Sequence, residues 1–210
     1  KVYNSDNRKE KDKETGQPNY HYELLKFSQG SESIKSTNVN IENYFIRNSS
    51  LIDGNNNEMI VACTYSKKAN TVGTDGIFLA KVDENGNVNK YKNGFYEFPA
   101  SEMAKFESAR KRRNIEKAND YEAPYISVRG LISGSDGSMF VACEEFKYVT
   151  RYRYSSVGNS GFSSSTVYYD WYYDDIIAAK IEGNGEFAWV RKIPKRQGGT
   201  TENWGNRPPY

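Results

Sequence analysis

Histidine is nearly missing from this chain: His21 is the single one in 210 residues. Ser-His-Asp and Cys-His nucleophilic arrangements need an imidazole to take the proton, so either would have to use that residue. His21 stands between Tyr20 and Tyr22 in an alternating strand pattern, where a plain strand side chain is the simpler reading. No G-x-S-x-G nucleophile elbow occurs. Cysteine is also scarce. Cys63 and Cys143 cannot make a framework of disulfides, and with one histidine they cannot supply a zinc cluster. No run approaches the roughly 20 apolar residues of a membrane-spanning helix. Neither sign of charge dominates, since 29 basic and 27 acidic residues leave +2, so no strong polyanion partner such as nucleic acid is implied. Lys1, with no signal segment behind it, reads as a trimmed start or the edge of a fragment.

What is abundant points to strands and turns. Tyrosine and glycine each occur 17 times, asparagine is frequent and leucine is scarce. Tyrosine favours pleated, half-buried surfaces, while glycine and asparagine favour tight turns. The chain also repeats itself. Leu51–Cys63 (LIDGNNNEMIVAC) returns as Leu131–Cys143 (LISGSDGSMFVAC), an offset of 80 residues, and Asp75–Gly86 (DGIFLAKVDENG) returns as Asp174–Gly185 (DDIIAAKIEGNG), an offset of 99. Such self-similarity marks an array of one supersecondary unit. The two cysteines close equivalent apolar runs and read as small buried side chains.

The first unit spans about 44–95. It reads as strands Tyr44–Ile52, Met59–Tyr65, Ile77–Val82 and Val88–Tyr91, with the turns Asp53-Gly54-Asn55-Asn56 and Asp83-Glu84-Asn85-Gly86. The second spans about 125–193: Tyr125–Ile132, Met139–Phe146, Asp175–Ile181 and Phe187–Ile193. Tyr20–Phe27 and Ser33–Ile41, around the turn Ser28–Ser31, add half a unit. The expected fold is all-β: about two and a half four-stranded antiparallel meanders in a propeller-like array over 19–197, as part of a larger propeller. Residues 1–18 read as a charged, irregular arm and 198–210 as an irregular tail. Between the units, Ser101 as N-cap and the spacing of Met103, Phe106 and Arg110 predict one inserted amphipathic helix over about 101–118. The second unit is split by an insertion over about 147–174, expected to be a projecting hairpin with a Gly/Ser tip over Val157–Ser165.

Three groups of residues are candidates for function. The hairpin carries Tyr148, Tyr152, Tyr154, Tyr168, Tyr169, Trp171, Tyr172 and Tyr173 on two paired strands. Aromatics of this kind dominate binding hot spots, although alternation would turn one set inward. The acids Glu144, Glu145, Asp170, Asp174 and Asp175 fall near one end of the second unit. Juxtaposed carboxylates divide acid and base roles in glycoside hydrolysis, and Glu144, Asp174 and Asp175 can also bind calcium; the plainer reading is that Asp175 caps a turn and the other acids are solvated. Otherwise the residues imply no cofactor. The Asp83–Asn87 turn lacks the later ligands of a calcium loop. Arg110–Arg113 sits among enough acids to read as a solvated helix face.

The pattern Asp136-Gly137, Glu144, Tyr173-Asp174-Asp175-Ile176, Gly185, Trp189 and Ile193-Pro194-Lys195, continuing to Gln197, resembles that of secreted β-propeller-like proteins of the Bacteroidetes. The resemblance covers roughly Tyr20 to Gln197 and carries no catalytic residues across. It implies an exported protein, either secreted, periplasmic or associated with the outer membrane, with export through the type IX route as one fit. The first unit departs from the pattern: Thr64 stands in the place of Glu144, and Gly76 in that of Asp175. The expected function is a non-catalytic interaction module presenting the aromatic hairpin to a protein partner in an envelope assembly. A glycan-binding or glycan-processing propeller using the same aromatics with Glu144 and Asp175 is the alternative, and a structural segment of a large adhesin is a third.

Overall fold

The computed structural model describes residues 1–27, 30, 33–39, 41–53, 59–118, 121–156 and 163–206. The expected turns at Ser28–Ser31 and Asp53–Asn56, the hairpin tip and the last residues of the tail lie wholly or mostly outside that set. The fold is built of antiparallel sheets. The first has three strands, β1 (Val2–Tyr3), β2 (Tyr20–Phe27) and β3 (Ile34–Val39), in that order. The second is a meander of β4 (Phe45–Asp53), β5 (Met59–Ser66), β7 (Gly76–Val82) and β8 (Val88–Glu97). The third is a meander of β10 (Ile126–Ser133), β11 (Met139–Ser156), β12 (Ser163–Ile181) and β13 (Phe187–Ile193). A clip of β6 (Gly73–Thr74) on β9 (Ala123–Pro124) ties the two meanders together.

The second sheet is the core of the molecule because both of its faces are apolar. Strand alternation sends Ile60, Ala62, Ile77 and Leu79 to one side and Val61, Cys63, Tyr65, Phe78 and Ala80 to the other. The first set packs with Met139, Val141, Cys143, Ile177 and Ala179 of the third sheet. The second set packs with Tyr20 and Val39 of the first. A strand buried on both faces reads as a continuous apolar run, which is how Met59–Tyr65 is written.

Corresponding positions of the second and third sheets share several local features. Cys63 faces the sheet before its own, and Cys143 does the same one sheet later. The turn after β7 and the turn after β12 share one hydrogen-bond pattern. Asp83 N–H donates to Asn87 C=O (3.0 Å) and Gly86 N–H to Asp83 C=O (2.9 Å); Glu182 and Gly185 repeat both bonds at 2.9 and 2.7 Å. Gly86 and Gly185 sit at φ 84° and 89°, a region costly for any residue with a Cβ. The first strand of each meander also carries a bulge at an arginine, Arg47 in β4 and Arg129 in β10.

Three expectations need correction. The inserted helix is two helices, α1 (Ala100–Met103) and α2 (Ala109–Ala118). Met103 and Ala104 are fully buried, and the turn that carries them into the core breaks the helix. Pro99, not Ser101, is the N-cap of α1, and the Ser108 hydroxyl accepts the Lys111 N–H (3.3 Å) at the start of α2. The tail is not wholly irregular: β14 (Gln197–Thr201) pairs with β12, and residues Trp204–Asn206 form a 3-10 turn. Nor is the N-terminal arm wholly irregular: β1 lies within it and pairs with β2, and the Glu10 carboxylate takes a bond from the Arg47 guanidinium (2.9 Å) and the Asn70 N–H (3.0 Å).

Candidate functional site

The hairpin begins where the third meander outgrows its neighbours. At Glu145 the β11–β12 ladder bulges, and Asp174 and Asp175 are skipped on the other strand. Beyond it the register runs without a break from Phe146↔Tyr173 to Ser156↔Ser163. Alternation sorts the side chains onto two faces. One face holds Phe146, Tyr148, Tyr152 and Tyr154 with Tyr173, Trp171 and Tyr169; the other holds Lys147, Val149, Arg151 and Arg153 with Tyr172, Asp170 and Tyr168.

The base of the aromatic face is a packed cluster. Trp171 is 2% exposed, and Tyr173 is equally buried. The Trp204 ring, brought back by β14, lies 4.8 Å from Trp171, 4.6 Å from Tyr148 and 5.3 Å from Tyr169. The Trp171 indole N–H donates to the Thr201 hydroxyl at 2.9 Å, so the buried polar atom is satisfied. Trp171 and Tyr173, expected among the contact residues, therefore brace the hairpin. Tyr168 and Tyr169 are half-buried, and Tyr148 and Tyr172 are exposed. The outer residues Tyr152 and Tyr154 are 62% and 75% exposed.

On the opposite face, the Arg151 guanidinium forks onto both oxygens of Asp170, and the Thr200 hydroxyl donates to the same carboxylate at 2.7 Å. This clasp ties β11, β12 and β14 together. The Arg151 bond, and then that from Thr200, hold the Asp170 carboxyl below its usual pKa. A depressed carboxylate pKa contributes stability above the unfolded value and loses it as pH falls through the folded one. Acidification from about pH 4 downward is therefore expected to loosen β14 first, because the ordinary aspartate pKa is about 3.9. Trp204 fluorescence should change before the far-ultraviolet signal of the sheets; coincident changes would show that the clasp does not hold β14.

The acids fall into two sets. Glu144 is buried, with one oxygen 3.0 Å from the Arg129 guanidinium and the other 2.6 Å from Lys195 Nζ. Its counterpart Thr64 lies between the second and third sheets and donates to the Ile126 carbonyl (3.3 Å), where an acid would be stranded. Glu145, Asp174 and Asp175 instead line an open cleft of about 520 Å³ with Phe106 and Lys195. Lys147 lies 3.4 Å from Asp174, and Lys192 lies 2.9 Å from Asp175. Burial raises the Glu145 pKa; Lys147 opposes the rise, while Asp174 and Asp175 add to it. Gly76, in the place of Asp175, is packed against Tyr65 and the β8 backbone with no room for a side chain. Among the described residues no group of three or more His, Cys, Asp or Glu side chains is placed to hold a metal ion. Nor, among them, is any helix long and apolar enough to cross a membrane.

No family model, curated protein or solved structure matches the chain. The site is thus known by its geometry. Sequence reasoning missed Trp204 and the Arg151–Asp170–Thr200 clasp. The signal for both was weak, because Gln197-Gly198-Gly199-Thr200-Thr201 carries no large apolar residue and becomes a strand only by using the β12 edge left open beyond β13.

Proposed function

We propose that this chain is a non-catalytic interaction module whose Tyr-rich hairpin is the contact surface for a protein partner. The observation that carries this reading is the contrast along one face of the hairpin. Trp171, Tyr173 and Trp204 form a braced base, and Tyr152 and Tyr154 stand exposed beyond it. Rigid aromatics on a pre-ordered support bind with little entropy loss. We place the module in a bacterial envelope or secreted assembly, on the sequence resemblance alone. The stacked, repeated meanders favour a propeller-like array that extends beyond these sheets. Leu25, Phe27 and Ile34 are exposed on the first sheet and Ile132 and Phe140 on the third, at the two ends of the stack.

The test is site-specific photocrosslinking in the native envelope. A benzophenone at position 152 or 154 should give a discrete adduct, and one at Asn89, exposed on β8, should not. Tyr152→Ser with Tyr154→Ser should abolish co-purification of that partner at unchanged melting temperature. Adducts of equal yield at all three positions would refute the assignment. The cleft favours glycan processing as a second reading. There Glu145, with its raised pKa, suits a proton donor better than Glu144, which is held by two cations. Binding on a glycan array that is lost on Phe106→Ala would support it.

A further inference from the structure

We propose that the partner binds by adding an extended strand to the open edge of β11, and that this strand alternates acidic with apolar or aromatic residues. The proposal rests on the hairpin being the contact surface. The opposite edge of the hairpin shows the mode within the chain, since β14 adds to β12 over Tyr169–Tyr173. The β11 edge is different. β10 pairs with β11 only as far as Ile126↔Glu145. Tyr125, at φ 54°, turns the incoming chain away toward β9. The Phe146 N–H donates to the Tyr125 carbonyl at 3.1 Å, and among the described residues it is the last backbone bond on that edge.

That bond fixes which groups are free. In a strand, the N–H and C=O of one residue point to the same side and alternate with those of the next. Phe146 points outward, and no bulge follows it up to Ser156. Tyr148, Thr150, Tyr152 and Tyr154 therefore present their N–H and C=O groups to the edge. The seven residues from Tyr148 to Tyr154 span about 23 Å, longer than the five that seat β14. Exposed edges of this length are templates for strand addition.

The side chains select the occupant. On one face the added strand would lie beside Tyr148, Tyr152 and Tyr154, which suits apolar or aromatic residues. On the other it would lie beside Val149, Arg151 and Arg153. Arg151 shares its charge with Asp170, and Arg153 is exposed with no acid beside it among the described residues. Both arginines favour acidic residues in the added strand. A second copy is disfavoured, because antiparallel pairing of two β11 edges sets Arg153 near Lys147 or Arg151 near its own counterpart.

The probe is a labelled ten-residue peptide alternating Glu with Val and Tyr, titrated by anisotropy against the whole chain. It should bind, and a peptide with Lys for each Glu should bind about tenfold or more weakly. N-methylation of alternate amides should abolish binding. Thr150→Pro should do the same while leaving the β11–β12 ladder whole, because the Thr150 N–H points away from β12. Arg153→Glu should weaken the acidic peptide about tenfold and strengthen the Lys peptide. Tight binding of the N-methylated peptide would overturn strand addition even if Thr150→Pro failed to fold. Equal binding of the Lys peptide would overturn the acidic partner. A dimer in sedimentation that is lost on Thr150→Pro would assign the edge to a second copy instead. If Tyr152→Ser with Tyr154→Ser releases the native partner and Thr150→Pro keeps it, strand addition fails and the hairpin function stands. If both variants keep the partner, both fail.

Discussion

Phe78→Ala should lower stability by about 3–5 kcal/mol and Leu79→Ala by about 2–5 kcal/mol, and they should open opposite sides of one sheet. Both side chains are fully buried, on adjacent positions of β7. Phe78 faces the first sheet, where it meets Phe95 at 4.8 Å and shares a core with Cys63. Leu79 faces the third sheet and shares a core with Cys143. Burial pushes both thiols up to about 12, so neither should react with a thiol reagent in the native protein at pH 8. Each cysteine reports on one interface. Local opening tracks the weakened region. Peptide mapping after brief labelling should find Cys63 modified first in Phe78→Ala and Cys143 first in Leu79→Ala. The reverse order would contradict the stacking of the three sheets.

The part of this fold that was legible is the part the chain writes twice. Leu51–Cys63 and Leu131–Cys143 gave β5 and β11 with their preceding strands, and the two glycine turns gave the hairpins at Gly86 and Gly185. Local chemistry decides these elements, so a single sequence carries them. Elements that depend on a distant surface were not legible. β14 forms because β12 has an unpaired edge, which Gln197–Thr201 does not announce. The helix breaks where the core takes in Met103 and Ala104 and leaves Phe106 exposed, a division that the helical spacing of Met103, Phe106 and Arg110 does not record.

The site was read in the same mixed way. Alternation along Tyr148–Tyr154 and Val167–Tyr173 implies one set turned inward and one outward, whereas the buried Trp171 and Tyr173 and the exposed Tyr152 and Tyr154 lie at opposite ends of a single face. Covering Trp171 takes Trp204, more than thirty residues on, and a turn at 202–203 to bring it back. The acids were grouped by closeness in sequence. The bulge at Glu145 then separates Glu144, which turns to Arg129 and Lys195, from Glu145, which turns to the cleft with Asp174 and Asp175. A one-residue insertion reverses the facing of every later side chain on its strand, and its position is set by pairing rather than by composition.

Trp171→Ala should be the costliest change in the hairpin, at about 3–5 kcal/mol, because the emptied site is walled by Phe146, Tyr148, Tyr169 and Trp204. Loss of the ring removes the stack that holds Trp204, so β14 should detach with it. Limited proteolysis should then cut near Gly198 while the second sheet stays intact. Trp171→Phe separates two contributions. It keeps most of the packing and forfeits the indole bond to Thr201, for a loss of about 1 kcal/mol. Tyr152→Ser and Tyr154→Ser, on the same face but exposed, should each move stability by no more than about 0.5 kcal/mol. Denaturant unfolding of the four variants checks the gradient. If Trp171→Ala unfolded like the parent, the base of the hairpin would not be a brace, and the exposed tyrosines beyond it would have no fixed position from which to bind.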